Sequence, residues 1–171
     1  ASVVEIVQET PNIKSFRVRF DDEAVQAGFS FKPGQVGQLG VLGIGEATFA
    51  INSSPSEKEY LQFSVMQAGE VTVGLHCLSQ GDKVGIRAPM GRGFPVEDWK
   101  GKNLLYIMGG IGSAALRATI LHTLEHRSDY GDITILYGAR TPVDLTFQYD
   151  IADWEARSDI RTVITVDAPF P

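Results

Sequence analysis

One stretch constrains this chain more than any other: NLLYIMGGIGSAALR, residues 103–117, where an apolar run enters a glycine turn and leaves as a helix. Such a turn frees backbone N–H groups to face an anion, and the positive end of the following helix adds roughly 0.3–1 kcal/mol of attraction. Gly110, Gly112 and Ala115 fit the G-x-G-x-x-G/A spacing of strand–turn–helix nucleotide sites. A nucleotide is therefore the first ligand to consider; a strand-to-helix turn that binds nothing is the plain alternative.

The 171 residues, 43% hydrophobic and 21% charged, suffice to bury a core in one domain or two small ones. A net charge of -6 argues against a nucleic-acid or anionic-membrane partner, because both require a basic face. Cys77 is the sole cysteine, so the chain alone can form neither an internal disulfide nor an all-cysteine zinc or iron–sulfur site. No apolar run approaches the length of about eighteen residues that membrane insertion needs, and the start, ASVVEIVQET, lacks the features of a signal peptide. The expected location is the cytoplasm.

The chain changes grammar part-way along. As far as residue 95 the apolar residues alternate: Phe16, Val18 and Phe20 against Arg17 and Arg19, then Leu61, Phe63 and Val65 against Gln62 and Ser64. This predicts half-buried strands, punctuated by turns at 10–12, 32–34, 52–56 and 80–82, as in a small antiparallel β-barrel. A short helix is expected over 72–79, capped by Thr72, with Cys77 a small buried residue inside it. After residue 102 the pattern becomes strand 103–108, helix 113–126, strand 133–137, helix 148–155 and strand 161–166, which builds a parallel α/β sheet. The first of these helices puts Leu116, Ile120 and Leu124 on one face and leaves Arg117, Glu125 and Arg127 to water. The expected units are residues 1–98 and 103–171. The second is an incomplete nucleotide-binding domain, with three strands where a doubly wound sheet has about five or six. Either the natural chain continues or another subunit covers the edge of the last strand.

In chain order, PGQ at 33–35, ATFAINSSP at 47–55, GEVT at 69–72, GD at 81–82, APMGRGFP at 88–95, GGIG at 109–112, YGAR at 137–140 and TVD at 165–167 resemble the ferredoxin–NADP reductase superfamily. Within it, GEATFAINSSP and YGARTPVDLTF are most similar to the gamma subunit of cytoplasmic nickel–iron hydrogenases, or sulfhydrogenases. The electron-transfer subunits of dihydroorotate dehydrogenase and anaerobic sulfite reductase are close relatives.

The resemblance implies FAD on the barrel and NAD(P)H as substrate on the parallel half. The family's Arg-x-Tyr-Ser flavin motif aligns with Ala47, Thr48, Phe49 and Ala50, so two polar contacts are replaced. A charge-assisted hydrogen bond contributes about 1.5–3 kcal/mol, so losing the Arg weakens phosphate binding by roughly tenfold to a hundredfold. Phe49 can still lie against the flavin, since stacking needs the ring and not the phenol; plain barrel core is its other reading. The same resemblance assigns Ser64, Val65, Met66, Glu70, Val71 and Thr72 to the ribityl chain and pyrophosphate, and makes Asn52 and Ser53 candidates that also suit a turn. Gly109, Gly110, Ile111 and Gly112 would carry the nicotinamide and its phosphates, with Ala115 standing where relatives have Pro. Tyr137, Gly138 and Arg140 would meet the adenosine ribose, Arg140 being able to pair with a 2′-phosphate or with a surface acid, and Asp167 is a further candidate.

No side chain is needed as an acid or base for hydride transfer, and no catalytic residue is assigned. His122 and His126, four apart on a helix, lack a third metal ligand and are expected on a solvated face. The implied function is an electron-transfer flavoprotein subunit that moves a hydride between NAD(P)H and FAD, and single electrons to or from an iron–sulfur partner. The implied partners are the iron–sulfur and catalytic subunits of a larger oxidoreductase, a hydrogenase by closest similarity. A 2Fe-2S cluster is expected only in a C-terminal region beyond this chain. The alternatives are the same role in a dihydroorotate dehydrogenase or sulfite reductase complex, and a non-catalytic assembly module that has lost flavin.

Overall fold

The computed structural model describes residues 1–168; the closing residues 169–171 of the expected second unit lie outside it. The N-terminal half carries strands β1 (Ser2–Thr10), β2 (Ile13–Arg19), β3 (Val36–Val41), β4 (Gly45–Ala50), β5 (Leu61–Met66) and β6 (Gly85–Met90), all paired antiparallel. They form two three-stranded sheets, β1-β2-β5 and β4-β3-β6, the antiparallel arrangement expected, with no continuous ladder closing it into a barrel. A few backbone hydrogen bonds and one isolated antiparallel bridge, Ser2 with Lys83, span the seams. The Ile51 amide donates to the Gln35 carbonyl on one sheet and the Asn52 amide to the Gln62 carbonyl on the other, while the Val3 amide donates to the Asp82 carbonyl across the second seam. β4 is left as an edge strand, so half of its backbone donors and acceptors face away from β3.

Phe16, Val18, Leu39, Leu61, Phe63 and Val65 fill the space between the sheets, as alternation on β2 and β5 predicts. On β5, however, Gln62 and Ser64 are also buried, because the opposite face meets the C-terminal half of the chain. Two short helices occur in this half, one more than expected. α1 (Glu23–Gly28) is capped by Asp22, whose carboxylate accepts from the amides of Ala24 and Val25; an Asp followed by helix-forming residues was its signal in the sequence. α2 (Glu70–His76) begins two residues before Thr72 and ends before Cys77, which is exposed. Thr72 caps it from inside the first turn, accepting from the amides of Ala68 and Gly69 at 2.9 and 2.8 Å.

The C-terminal half is a parallel sheet, β7 (Leu104–Gly109), β8 (Ile133–Ala139) and β9 (Arg161–Val166), in the order β7-β8-β9. Helices α3 (Ser113–Glu125) and α4 (Gln148–Ala156) pack on one face, where Tyr106, Met108, Ile120, Ile133, Ile135, Tyr137, Ile151 and Trp154 form the core. On the other face Leu105 and Ile107 are exposed. Among the described residues no helix is long and apolar enough to cross a membrane.

Ile135 lies in the central strand and is fully buried. Truncation to Ala removes packed methylenes and leaves a cavity that the parallel sheet closes only in part, at a cost of about 2–5 kcal/mol. The Ile135→Ala variant is expected to lower the denaturant midpoint accordingly with an unchanged slope, read by chemical denaturation.

Candidate functional site

β7 ends at Gly109, residues 110–112 make one 3-10 turn, and α3 starts at Ser113. Gly110 has φ +49°, a left-handed conformation that a side chain adopts only with strain, and nothing lies within 4 Å of where its Cβ would sit. The turn forms the floor of a cleft of about 630 Å³, a size suited to small-molecule ligands. Gly109, Gly110 and Ile111 line one side, together with Gly138, Ala139, Arg140, Asp144, Thr165 and Asp167 from the ends of β8 and β9. Asn12, Ile13 and Met66, from the N-terminal half, form the opposite wall.

The sequence-derived candidates divide by place. Met66, Gly109, Gly110, Ile111, Gly138, Arg140 and Asp167 meet in this cleft. Gly112 sits in the turn behind them. Ala47, Thr48, Phe49 and Ala50 follow one another along the edge strand β4. Ala47 and Phe49 pair with Leu39 and Gly37 and share their inward face; Phe49 is half-buried against the core, and Thr48 is exposed. Glu70, Val71 and Thr72 open α2, which flanks the start of β4: a Cβ on Gly45 would lie 3.3 Å from Val71. The single hydroxyl proton of Thr72 is donated to the Gly69 carbonyl at 2.8 Å.

Four candidates lie beneath the surface. Asn52, Ser53, Ser64 and Val65 are buried, and the three polar ones serve the protein's own hydrogen bonding. The Asn52 side-chain amide lies 2.8 Å from Ser64 Oγ, Ser64 lies 2.6 Å from Ser15 Oγ, and Ser53 Oγ accepts from the Gln62 amide. Tyr137 is fully buried too, so it stands under the glycine turn and not at its surface, where a ribose contact would require it. The cause is strand parity: β8 alternates, and Tyr137 falls on the helix-covered face with Ile133 and Ile135. Asn12, Ile13, Ala139, Asp144 and Thr165 escaped sequence reasoning. Asn12 had read only as turn punctuation.

Electrostatics in the cleft are of mixed sign. Arg140 is exposed and its guanidinium lies 3.3 Å from Asp144. A hydrogen bond from Thr141, joined by the charge of Arg140, holds the Asp144 carboxyl below the usual carboxylate range, so it is ionised at neutral pH. His122 and His126 stack with ring centroids 4.4 Å apart, and no group of three metal-ligating side chains occurs among the described residues.

Buried polar contacts tie the two halves together. Arg117, expected in water, is 7% exposed. It donates to both Asp150 oxygens, at 2.5 and 3.1 Å, and to the Asn52 carbonyl at 2.6 Å, and its guanidinium lies 5.1 and 5.6 Å from the rings of Phe147 and Tyr149. Burial pushes the Asp150 carboxyl up against the pull of Arg117. Glu9 adds a second tie, accepting from the Phe147 amide at 2.9 Å and the Tyr149 hydroxyl at 3.1 Å.

Comparison with known proteins agrees with this architecture. The chain is 39% identical over 158 residues to sulfhydrogenase 1 subunit gamma of Pyrococcus furiosus, covering 92% of this chain and 53% of that one. It is 37% identical over 147 residues to a probable dihydroorotate dehydrogenase B (NAD(+)) electron transfer subunit of Methanocaldococcus jannaschii, covering 85% and 49%. A solved ferredoxin NADP+ reductase from Neisseria gonorrhoeae with bound FAD and NADP superposes with a TM-score of 0.80 at 21% identity, over 99% of this chain and 69% of that one. The chain shares the fold of the ferredoxin–NADP reductases and is similar in sequence to these electron-transfer and gamma subunits. The chain spans about half the length of the curated relatives it matches. No family model matches it.

Removing the Arg117 charge alone leaves Asp150 buried without its partner, which costs about 3–5 kcal/mol. Arg117→Met is expected to lose that much in denaturation. Combining it with Asp150→Leu, which removes both charges, is expected to recover more than half of the loss; a double variant as unstable as the single would contradict the ion-pair assignment.

Proposed function

We propose that this chain is the FAD- and NAD(P)H-handling part of an electron-transfer subunit, of the kind found in hydrogenase-type oxidoreductase complexes. Residues 1–98 would hold FAD along the edge of β4 and the start of α2, and residues 103–171 would hold the pyridine nucleotide over the glycine turn. The single observation that carries this reading is the cleft itself, in which a glycine turn at the end of a parallel strand faces Met66 and Ile13 from the flavin-type half.

The residues present fit both groups. β4 offers an unpaired strand edge beside α2, and Gly45 leaves room there that a side chain would take. Without an Arg at Ala47, backbone amides and the α2 terminus would carry the flavin phosphates. In the cleft, Gly109, Gly110 and Ile111 allow close backbone approach to a pyrophosphate, exposed Arg140 can exchange its ion pair with Asp144 for a ribose 2′-phosphate, and Asp144 and Asp167 can accept ribose hydroxyls. When bound, the flavin supplies the hydride and single-electron chemistry. The chain's own part is orientation: Ile13, Met66 and Ile111 wall off water, and the tied halves hold the two ligands at a fixed separation.

One cysteine cannot hold an iron–sulfur cluster, so the single-electron relay is assigned to residues outside this sequence, in the rest of the subunit or in iron–sulfur and catalytic partners. The single cysteine and the acidic composition are compatible with the cytoplasmic setting this reading assigns to the chain. The purified native complex is expected to show flavin absorption that bleaches on anaerobic addition of NADH or NADPH. A complex with no flavin and no bleaching would refute the proposal and leave an assembly module in its place.

A further inference from the structure

We propose that Tyr137 is a positioning residue for the pyridine nucleotide: its buried hydroxyl fixes the Gly110–Ile111 peptide so that the Ile111 N–H faces the cleft. The inference rests on the pyridine-nucleotide reading above and assigns that site a residue with no surface of its own.

The hydrogen-bond arrangement determines the direction of that peptide. Tyr137 OH donates to the Gly110 carbonyl at 3.1 Å, and Ser113 Oγ donates to the same carbonyl at 2.9 Å. The Ser113 amide donates to it as well, closing the 3-10 turn, so this oxygen is fully engaged on the protein side and the two hydroxyls add to the backbone anchor. Tyr137 is itself held by the Thr146 amide, which donates to its oxygen at 2.9 Å. Thr146 Oγ1 lies 2.9 Å from the Tyr137 hydroxyl and 2.6 Å from Ser113 Oγ. With the Tyr137 and Ser113 protons both committed to Gly110, the one Thr146 proton goes to one of those two oxygens, and the cluster is satisfied.

Tyr137 and Thr146 are fully buried and Ser113 nearly so, which strengthens each bond and excludes competing water. In a trans peptide the C=O and N–H point in opposite directions. A carbonyl anchored inward on two hydroxyls therefore turns the Ile111 N–H outward, toward the space that Ile111 lines. As one of the first amides of a helical segment, it has no intrahelical carbonyl to meet. Gly110 supplies the backbone angle this orientation needs, at φ +49°.

Tyr106 provides an internal control. It sits on the neighbouring strand and is likewise buried, with its hydroxyl 3.0 Å from Thr123 Oγ1, away from the turn. Tyr137→Phe and Tyr106→Phe each delete one buried phenol hydroxyl, and only the first touches the Gly110 carbonyl.

The test uses the full-length, flavin-loaded protein. Tyr137→Phe is expected to raise the NADH or NADPH dissociation constant and KM about three- to tenfold, with kcat within about twofold, because an oriented donor to bound phosphate acts on ground state and transition state alike. Ser113→Ala, which removes the second donor, is expected to move KM the same way, and Tyr106→Phe is expected to leave it unchanged. Backbone ¹⁵N relaxation of the nucleotide-free protein gives a readout apart from activity: the Ile111 and Gly112 amides gain disorder in Tyr137→Phe and not in Tyr106→Phe. Equal KM in Tyr137→Phe and the parent, or equal shifts in both Tyr variants, overturns the proposal. Should the parent bind neither nucleotide, the functional reading fails, and the relaxation comparison alone decides whether Tyr137 orders the turn.

Discussion

Arg117 is a cation that the folded chain can accommodate in only one arrangement of its two halves. Three of its five donors are used, two on Asp150 of α4 and one on the Asn52 carbonyl just past the end of β4, and two aromatic rings lie over the guanidinium. A guanidinium out of water costs several kcal/mol unless geometry and hydrogen bonding compensate, so separating the halves would strip the partners that make its burial tolerable. The antiparallel and parallel sheets are therefore docked through a satisfied charge as well as through apolar contact, and the cleft beside them inherits that rigidity.

The two architectures were legible because each writes its own period into the sequence. Phe16 and Val18, then Phe63 and Val65, alternate as strands packed on one face must. The apolar run before Gly109 and the spacing of Leu116, Ile120 and Leu124 announced a strand and a helix whose bounds differ from the structure by a residue or so. Turn glycines were equally readable. Gly110 does take the positive φ that a tight strand-to-helix turn requires.

What failed to show was which polar residues point inward. Arg117, Gln62 and Ser64 fall on the side of their elements that periodicity assigns to solvent, and the assignment would hold for either half alone. The other half is what covers them: Gln62 Nε2 lies 3.4 Å from the Tyr149 hydroxyl, and Ser64 joins the chain of side chains leading through Ser15 to Glu9. Polar alternation at such positions marks a hydrogen-bonded seam, and composition distinguishes the two only by side chains too short or too planar to prefer bulk water. Tyr137 was misplaced for a related reason. A motif at the end of a strand reads as one functional group, yet only its last three members, Gly138, Ala139 and Arg140, line the cleft, while Tyr137 falls on the helix-covered face and lies beneath it.

α3 links these observations, since it carries the glycine turn at its start and Arg117 five residues after Gly112. At 1.5 Å per residue that separation is about 7.5 Å, little more than one turn of helix. Over so short a rigid span, movement at the seam would pass to the turn with almost no loss, and the Gly110 carbonyl, pinned by Tyr137 and Ser113, would carry it to the Ile111 amide. The far end of the helix is tethered more weakly, where exposed Glu125 accepts from Ser54 and Ser56. Both tethers reach the same segment, residues 52–56, which directly follows the strand that bears Phe49. The strand that bears Phe49 and the glycine turn are thus placed relative to each other by one helix anchored twice on one loop, and the proposed hydride transfer, which would depend on the approach of two rings, would be sensitive to that placement above all.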